Sequence, residues 1–140
     1  MPIIQDPYQW QELDYLITES TYGGRLHDDY KKVEDNLLPI IQEAIAKQSK
    51  IIIPAFAVER TQEIIYHLNL LQKRGLIPCL PIYVDSPLAV NATDIFRRHP
   101  ECFDQETYQA FLNDKDDPFG FGCLHYVRTT EESKELNSKK

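Results

Sequence analysis

Apolar and polar positions alternate along the chain in blocks of two kinds. Three β-branched runs end in turn signals: "DYLITES" (14–20), "KIIIPAF" (50–56) and "LPIYVDS" (80–86). A fourth, "LHYVRT" (124–129), is weaker. The second run is apolar throughout, which predicts a strand buried on both faces, as in a parallel sheet covered by helices. Between the runs the period lengthens to that of a helix. Val33, Leu37, Ile40, Ile41, Ala44 and Ile45 define one helical face, with Pro39 predicting a kink or break inside it. A second helix is expected over about 58–74, with Ile64, Ile65, Leu68 and Leu71 inward and Gly75 as its stop. Ser86-Pro87 is an N-cap with a first-turn proline, opening a third helix toward Arg98 that His99-Pro100 ends. A shorter helix is expected over 105–113, followed by the polar loop "DKDDPFGFG". Thr129 with Glu132 three residues on is a capping-box pattern for a last, short helix. Strands alternating with helices predict an α/β fold, a three-layer, Rossmann-like sandwich with a mainly parallel sheet.

Composition narrows the class. The chain has 140 residues, 42% hydrophobic and 26% charged, enough for one domain with a real core. No apolar run approaches the roughly 20 residues that cross a bilayer, and the N-terminus has no secretory signal pattern. Cys79, Cys102 and Cys123 fit neither a CxxC knuckle nor a disulfide framework. Reduced thiols and a cytoplasmic setting are therefore expected. The net charge of −7 argues against broad binding of nucleic acid through a basic face. The basic doublets Lys73-Arg74, Arg97-Arg98 and Lys139-Lys140 read as solvated helix ends or tail.

Ligands of a parallel sheet gather at the carboxyl ends of its strands. Those ends carry "ESTYGGRLH", "PAFAVERTQE" and "DSPLAVN". At the first, Glu19 is a carboxylate able to ligate a metal or to accept a hydrogen bond from an imidazole; equally, it can cap a turn or pair with Arg25. Gly23-Gly24 suits a turn, and Arg25 and His27 read either as substrate contacts or as ordinary surface residues. Arg60 begins the second helix, where backbone N–H groups favour an anion, with a salt bridge to Glu59 or Glu63 as the competing reading. Asp85 and Ser86 stand at the third end, Ser86 being accounted for as an N-cap. The four histidines are scattered, without HxH or HxxEH spacing, so no self-contained zinc site is expected here. No GxGxxG or GxxxxGK[ST] loop occurs.

Four ordered stretches carry a resemblance: "LITESTYGGRLH", "IIIPAFAVERTQEIIYHL", "PIYVDSPLAVNATDIFRRHPECFD" and "DDPFGFGCLHYVRTTEESKELN". Together they resemble the β-CASP metallo-β-lactamase family of RNA- and DNA-processing nucleases, which includes the cleavage factor of pre-mRNA 3′-end formation and RNase J. The likeness is to the prokaryotic, cleavage-factor-like branch and covers nearly the whole chain. The family's HxHxDH metal motif and later histidine motifs are not in this sequence. The resemblance thus implies the central part of a larger nuclease: residues 1–19 as the tail of the lactamase half, and 20–140 as a partial β-CASP domain capping a dinuclear zinc cleft. Glu19 matches the family's acidic motif, where a carboxylate supports a histidine near the scissile phosphate. The implied reaction of the whole enzyme is zinc-dependent hydrolysis of RNA, with two zinc ions held outside this chain. Around Arg60 the family commonly reads "AFAVGRTQE"; here Glu59 stands in place of that glycine.

The resemblance leads to expectations for the chain itself. It should act with RNA and with a lactamase domain, not a membrane, and be inactive in isolation. An unpaired first strand would favour a homodimer. The alternative is a standalone α/β binding module without catalysis, and a weaker third reading is a DNA-acting or general metal-dependent hydrolase.

Overall fold

A computed structural model describes residues 3–26, 29–113 and 117–138. After a 3-10 turn at Tyr30–Lys32 come α1 (Val33–Lys47), α2 (Arg60–Lys73), β1 (Ile82–Val84) and α3 (Pro87–Arg98). A second 3-10 turn at Pro100–Cys102 leads to α4 (Gln105–Asn113), β2 (Leu124–Tyr126) and α5 (Thr130–Leu136). β1 and β2 form a parallel pair in the register Ile82–Leu124, Tyr83–His125 and Val84–Tyr126. Two helices separate strands that lie side by side, as a parallel connection requires. The described residues are therefore α/β with a small parallel sheet.

Helix ends follow the local chemistry of the sequence. The Ser86 hydroxyl accepts from Ala89 N at 3.2 Å, so α3 starts on its own cap with Pro87 behind it. At α5 both halves of the capping box are made: Thr129 Oγ1 accepts from Glu132 N, and the Glu132 carboxylate accepts from Thr129 N, each at 3.2 Å. Gly75 takes φ +70°, and the bonds Gly75 N to Gln72 O and Leu76 N to Leu71 O close α2 in a Schellman arrangement. The break that Pro39 offered as one of two outcomes does not occur, because α1 runs on through it from Val33 to Lys47. Pro39 leaves the carbonyl of Asp35 without its helix donor, and both residues lie on the exposed side, where that carbonyl is open to solvent.

α2 is the central helix. Ile65, Tyr66, Leu68 and Leu71 are buried, and so are Gln62, His67 and Asn69. Around it lie two apolar clusters. One joins Ile41 of α1 to Leu68, Leu71 and Ile77, and the other joins Ile3, Ile65, Tyr66, Val84, Ala89, Val90, Phe103 and Phe119. The amide donors of the buried Gln62 and Asn69 are taken up by specific bonds, whereas Gln62 Oε1 and His67 Nε2 are buried without a partner among the described residues. Gln62 Nε2 donates to Thr93 Oγ1 at 2.9 Å and to Ala57 O at 3.1 Å, and Asn69 Nδ2 donates to Pro118 O at 3.2 Å. His67, an ordinary helix position by sequence, lies buried with Nδ1 3.2 Å from Glu34 of α1.

The first two apolar runs depart from expectation. Residues 51–56 and 14–19 form no strand, and Ile17, Ile52 and Phe56 are among the most exposed apolar side chains. Periodicity reports which residues tolerate extended backbone, whereas a strand exists only when a neighbour supplies the ladder. Neither run has such a neighbour among the described residues.

Two further expectations are corrected. Arg97 is not a solvated helix end: it bonds Asp94 and Asp117, donates to the Phe119 carbonyl, and lies 5.1 Å from the Tyr126 ring. The loop 117–122 folds back under the end of α3 and delivers those acceptors. Gly120 permits that approach, since a Cβ there would come within 2.5 Å of the Asp117 carboxylate. The thiols are not all reduced either, because Cys79 and Cys123 are joined as a disulfide. They are 44 residues apart in sequence, but parallel pairing sets the leading ends of β1 and β2 side by side, at a Cα separation of 5.8 Å.

Candidate functional site

The carboxyl edge of the strand pair is where the chain gathers its polar groups. β1 ends on Val84 and hands directly to Asp85 and Ser86, while β2 ends on Tyr126 before Arg128 and Thr129. Asp85 is exposed and its Oδ2 accepts from Ser133 Oγ of α5 at 2.8 Å. Arg128 reaches Asp94 of α3 at 3.5 Å. Gln62, one turn into α2, also donates to Ala89 O in the first turn of α3 at 3.4 Å. The starts of α2 and α3 are thus tied through Gln62, and that of α5 reaches Asp85 through Ser133. Their own side chains cap α3 and α5, so those backbone donors are already used. Glu132 is held below the usual carboxylate range by the N–H groups of Arg128 and Thr129, and so remains a charged cap.

Tyr126 supports this edge from beneath. Its hydroxyl donates to Phe119 O at 2.6 Å, and burial pushes its pKa up to about 12. It is therefore a neutral donor throughout ordinary conditions, working beside Arg97 on the same carbonyl.

The candidate residues are placed as follows. Glu19 is exposed in a turn, its Oε2 accepting from Thr21 N at 2.8 Å. That backbone bond holds the carboxyl below the usual range, so Glu19 is ionised and acceptor-only. Arg25 lies 4.1 Å over the Tyr22 ring and donates its N–H to Tyr22 O. His27 lies outside the described residues. Arg60, the first residue of α2, donates Nη1 to the Glu63 carboxylate one turn later while its side chain stays 60% exposed. Among the described residues no hydrogen bond or ion pair joins Glu19, Arg25 and Arg60 to one another. The segments bearing Arg60 and Asp85 open α2 and α3, which Gln62 joins, but the run before Arg60 is not a strand of the sheet among the described residues. The structure also shows no group of three or more His, Cys, Asp or Glu among the described residues able to hold a metal ion.

Glu59 carries a cost that its sequence neighbours explain. It adopts φ +70° and ψ −62°, and Arg60 N donates to Val58 O at 2.9 Å across it, a γ-turn of the rare positive-φ kind. A glycine adopts that geometry freely, whereas a side chain there is strained. Relief of roughly 1–3 kcal/mol of strain outweighs the ~0.4–1 kcal/mol of added unfolded-state freedom that a glycine brings. Glu59→Gly is accordingly expected to raise stability by about 1 kcal/mol, read as a higher urea midpoint at unchanged slope. A lower midpoint would refute the strain.

Sequence reading missed Gln62 and Ser133 as organisers of this edge. Gln62 left a faint signal, a polar residue in register with inward Ile65 and Asn69; Ser133 left none.

Comparison with known proteins agrees with this architecture. The Beta-Casp domain pattern matches residues 61–140. The chain is 37% identical over 135 residues to Ribonuclease TTHA0252 of Thermus thermophilus, covering 96% of this chain and 31% of the relative. It is 31% identical over 132 residues to Transcription termination factor FttA of Methanococcus maripaludis, covering 91% and 20% respectively. Endoribonuclease YSH1 of Kluyveromyces lactis is 26% identical over 131 residues, covering 90% and 17%. The chain thus spans less than a third of the length of each of these relatives. Because the domain pattern extends over more than half of its residues, the chain belongs to the Beta-Casp domain family.

Proposed function

We propose that this chain is the substrate-capping portion of a ribonuclease, a metal-dependent RNA phosphodiester hydrolase, and does not catalyse by itself. The observation that carries the reading is the 37% identity with a named ribonuclease across 96% of the chain. In this reading residues 1–19 close a lactamase-type domain and 20–140 form the cap. The extended apolar segments 14–19 and 51–56 take strand places beside β1 and β2 in the longer protein, completing a three-layer sandwich. Cytoplasmic RNA is the substrate, and the lactamase domain is the partner that covers those segments; pairing of two copies through them is the competing occupancy.

The zinc ions that such an enzyme would use find no ligand set among the described residues, so no chemical step is assigned to them here. What the chain's own residues supply is placement. Glu19, ionised in its turn, accepts a hydrogen bond from an imidazole contributed by the rest of the enzyme and keeps that ring oriented and charged. Arg25 and His27 flank it as substrate contacts. Arg60 offers a forked donor to phosphate only by leaving Glu63, and the adjacent Glu59 opposes an anion there.

The chain alone is expected to leave labelled single-stranded RNA intact and to bind no stoichiometric zinc. In a longer protein carrying an HxHxDH segment, Glu19→Gln is expected to slow cleavage by about 10²-fold. RNA cleavage by the isolated chain that Glu19→Gln abolishes, or tight zinc binding to it, would overturn the proposal.

A further inference from the structure

The two joined cysteines differ in their surroundings. Cys79 lies on the exposed approach to β1, whereas Cys123 is 3% exposed at the head of β2. Gln72, at the end of α2, directs Nε2 toward Cys123 Sγ at 3.4 Å. The bond ties the leading ends of both strands, where Ile82 N donates to Cys123 O at 2.9 Å. Asp85 and Arg128 sit at the opposite, carboxyl ends. Nothing in the proposed ribonuclease reading uses this pair.

We propose that Cys79 and Cys123 are a reversible thiol–disulfide clasp, with Cys79 the entry sulfur and Cys123 the resolving one. The asymmetry sets the order of events. An external thiolate attacks the accessible Cys79 Sγ, forming a mixed disulfide there and expelling Cys123 as a thiolate, toward which the Gln72 amide donates. A second external thiolate attacks the outer sulfur of the mixed disulfide. It releases Cys79 as a thiolate and leaves as a low-molecular-weight disulfide, so the two electrons come from the two external thiols. Closure is the reverse: Cys79 thiolate attacks an external disulfide, taking one half and releasing the other as thiolate, and Cys123 thiolate then attacks Cys79 Sγ and displaces the half it carries as thiolate. Cys102, exposed on the turn after α3, stands apart from this exchange.

Closing a 44-residue separation restricts the unfolded chain, so the oxidised form is the more stable one. Because the clasp is at the leading ends, it firms the strand pair without obstructing the carboxyl edge.

The test equilibrates the chain in reduced and oxidised glutathione at stepped ratios, then alkylates the remaining thiols and maps them by mass. The expected oxidised product has one internal Cys79–Cys123 bond, a free Cys102 and no glutathione adduct. Its melting temperature should exceed that of the reduced chain by roughly 5–15 °C. Cys123→Ser should trap one glutathione on Cys79, and Cys79→Ser should leave Cys123 unmodified while the chain is folded. Where a variant loses its fold by circular dichroism, the wild-type mapping and melting shift decide alone. A stable adduct on wild-type Cys79, dimers linked through Cys102 as the main product, or equal melting of both forms would overturn the proposal.

Discussion

Phe119→Ala is expected to remove about 3–5 kcal/mol of stability, the range for emptying a buried aromatic site. Phe119 has no exposed surface, and its ring meets Phe96 and Phe103 edge-to-face at centroid distances of 6.1 and 6.2 Å. It thereby joins α3 to the segment before α4, from a loop that has no regular structure of its own. Phe96 is carried by α3, so the void on that side closes only if a whole helix moves, which keeps the loss within that range. Since small domains hold only about 5–15 kcal/mol in total, the variant should stand near the edge of folding. Phe119→Leu refills most of the volume and should cost distinctly less. Urea unfolding reads both; a loss below about 1 kcal/mol for the alanine would mean that the loop is not part of the core.

Arg97→Ala comes next, at about 2–3 kcal/mol, because one deletion strands several acceptors together. Asp117 loses its counterion, Asp94 keeps Arg128 at 3.5 Å, the Phe119 carbonyl loses one of its two donors, and the Tyr126 ring loses the cation over its face. The side chain is 25% exposed, so water recovers part of the carboxylate solvation and the figure falls below that of a fully buried pair. Arg97→Lys should recover little, since a single ammonium cannot reach three acceptors arranged around a fork. The pair Arg97→Ala and Asp117→Ala should lose less than the sum of the single changes, as expected of groups in one network. Strict additivity in that cycle would argue against the network.

The elements most legible in the sequence are those whose chemistry is local. Ser86-Pro87, Thr129 with Glu132, and Gly75 each fix a helix end through bonds spanning five residues or fewer, so composition alone places them. The run 51–56 misled because its apolar residues describe a fully flanked strand, while the ladder that would make it one is not within the described residues. Long-range pairings left no local trace. Arg97 meets Asp117 twenty residues away, Gln62 meets Thr93 thirty-one away, and Cys79 meets Cys123 across 44. Glu59 was half legible: its departure from the familiar glycine was visible, but the positive φ that gives the departure meaning belongs to the folded backbone. For the candidate site, the link between the segments that open α2 and α3 rests on Gln62 bonding Ala89 and Thr93, which no local pattern announced, and Ser133 became part of it only through α5 docking.

The bonds of Gln62 have a mechanical consequence. Helix starts usually fray, because their first amides lack partners and the opening turn can peel away from its neighbours. Here one buried amide group rivets the opening turns of α2 and α3, so neither can peel without breaking contacts in the other. The edge where α2 and α3 begin is consequently an anvil rather than a hinge. A flexible strand laid across it would have to adapt its own shape, with the ordering falling on the strand and not on the protein.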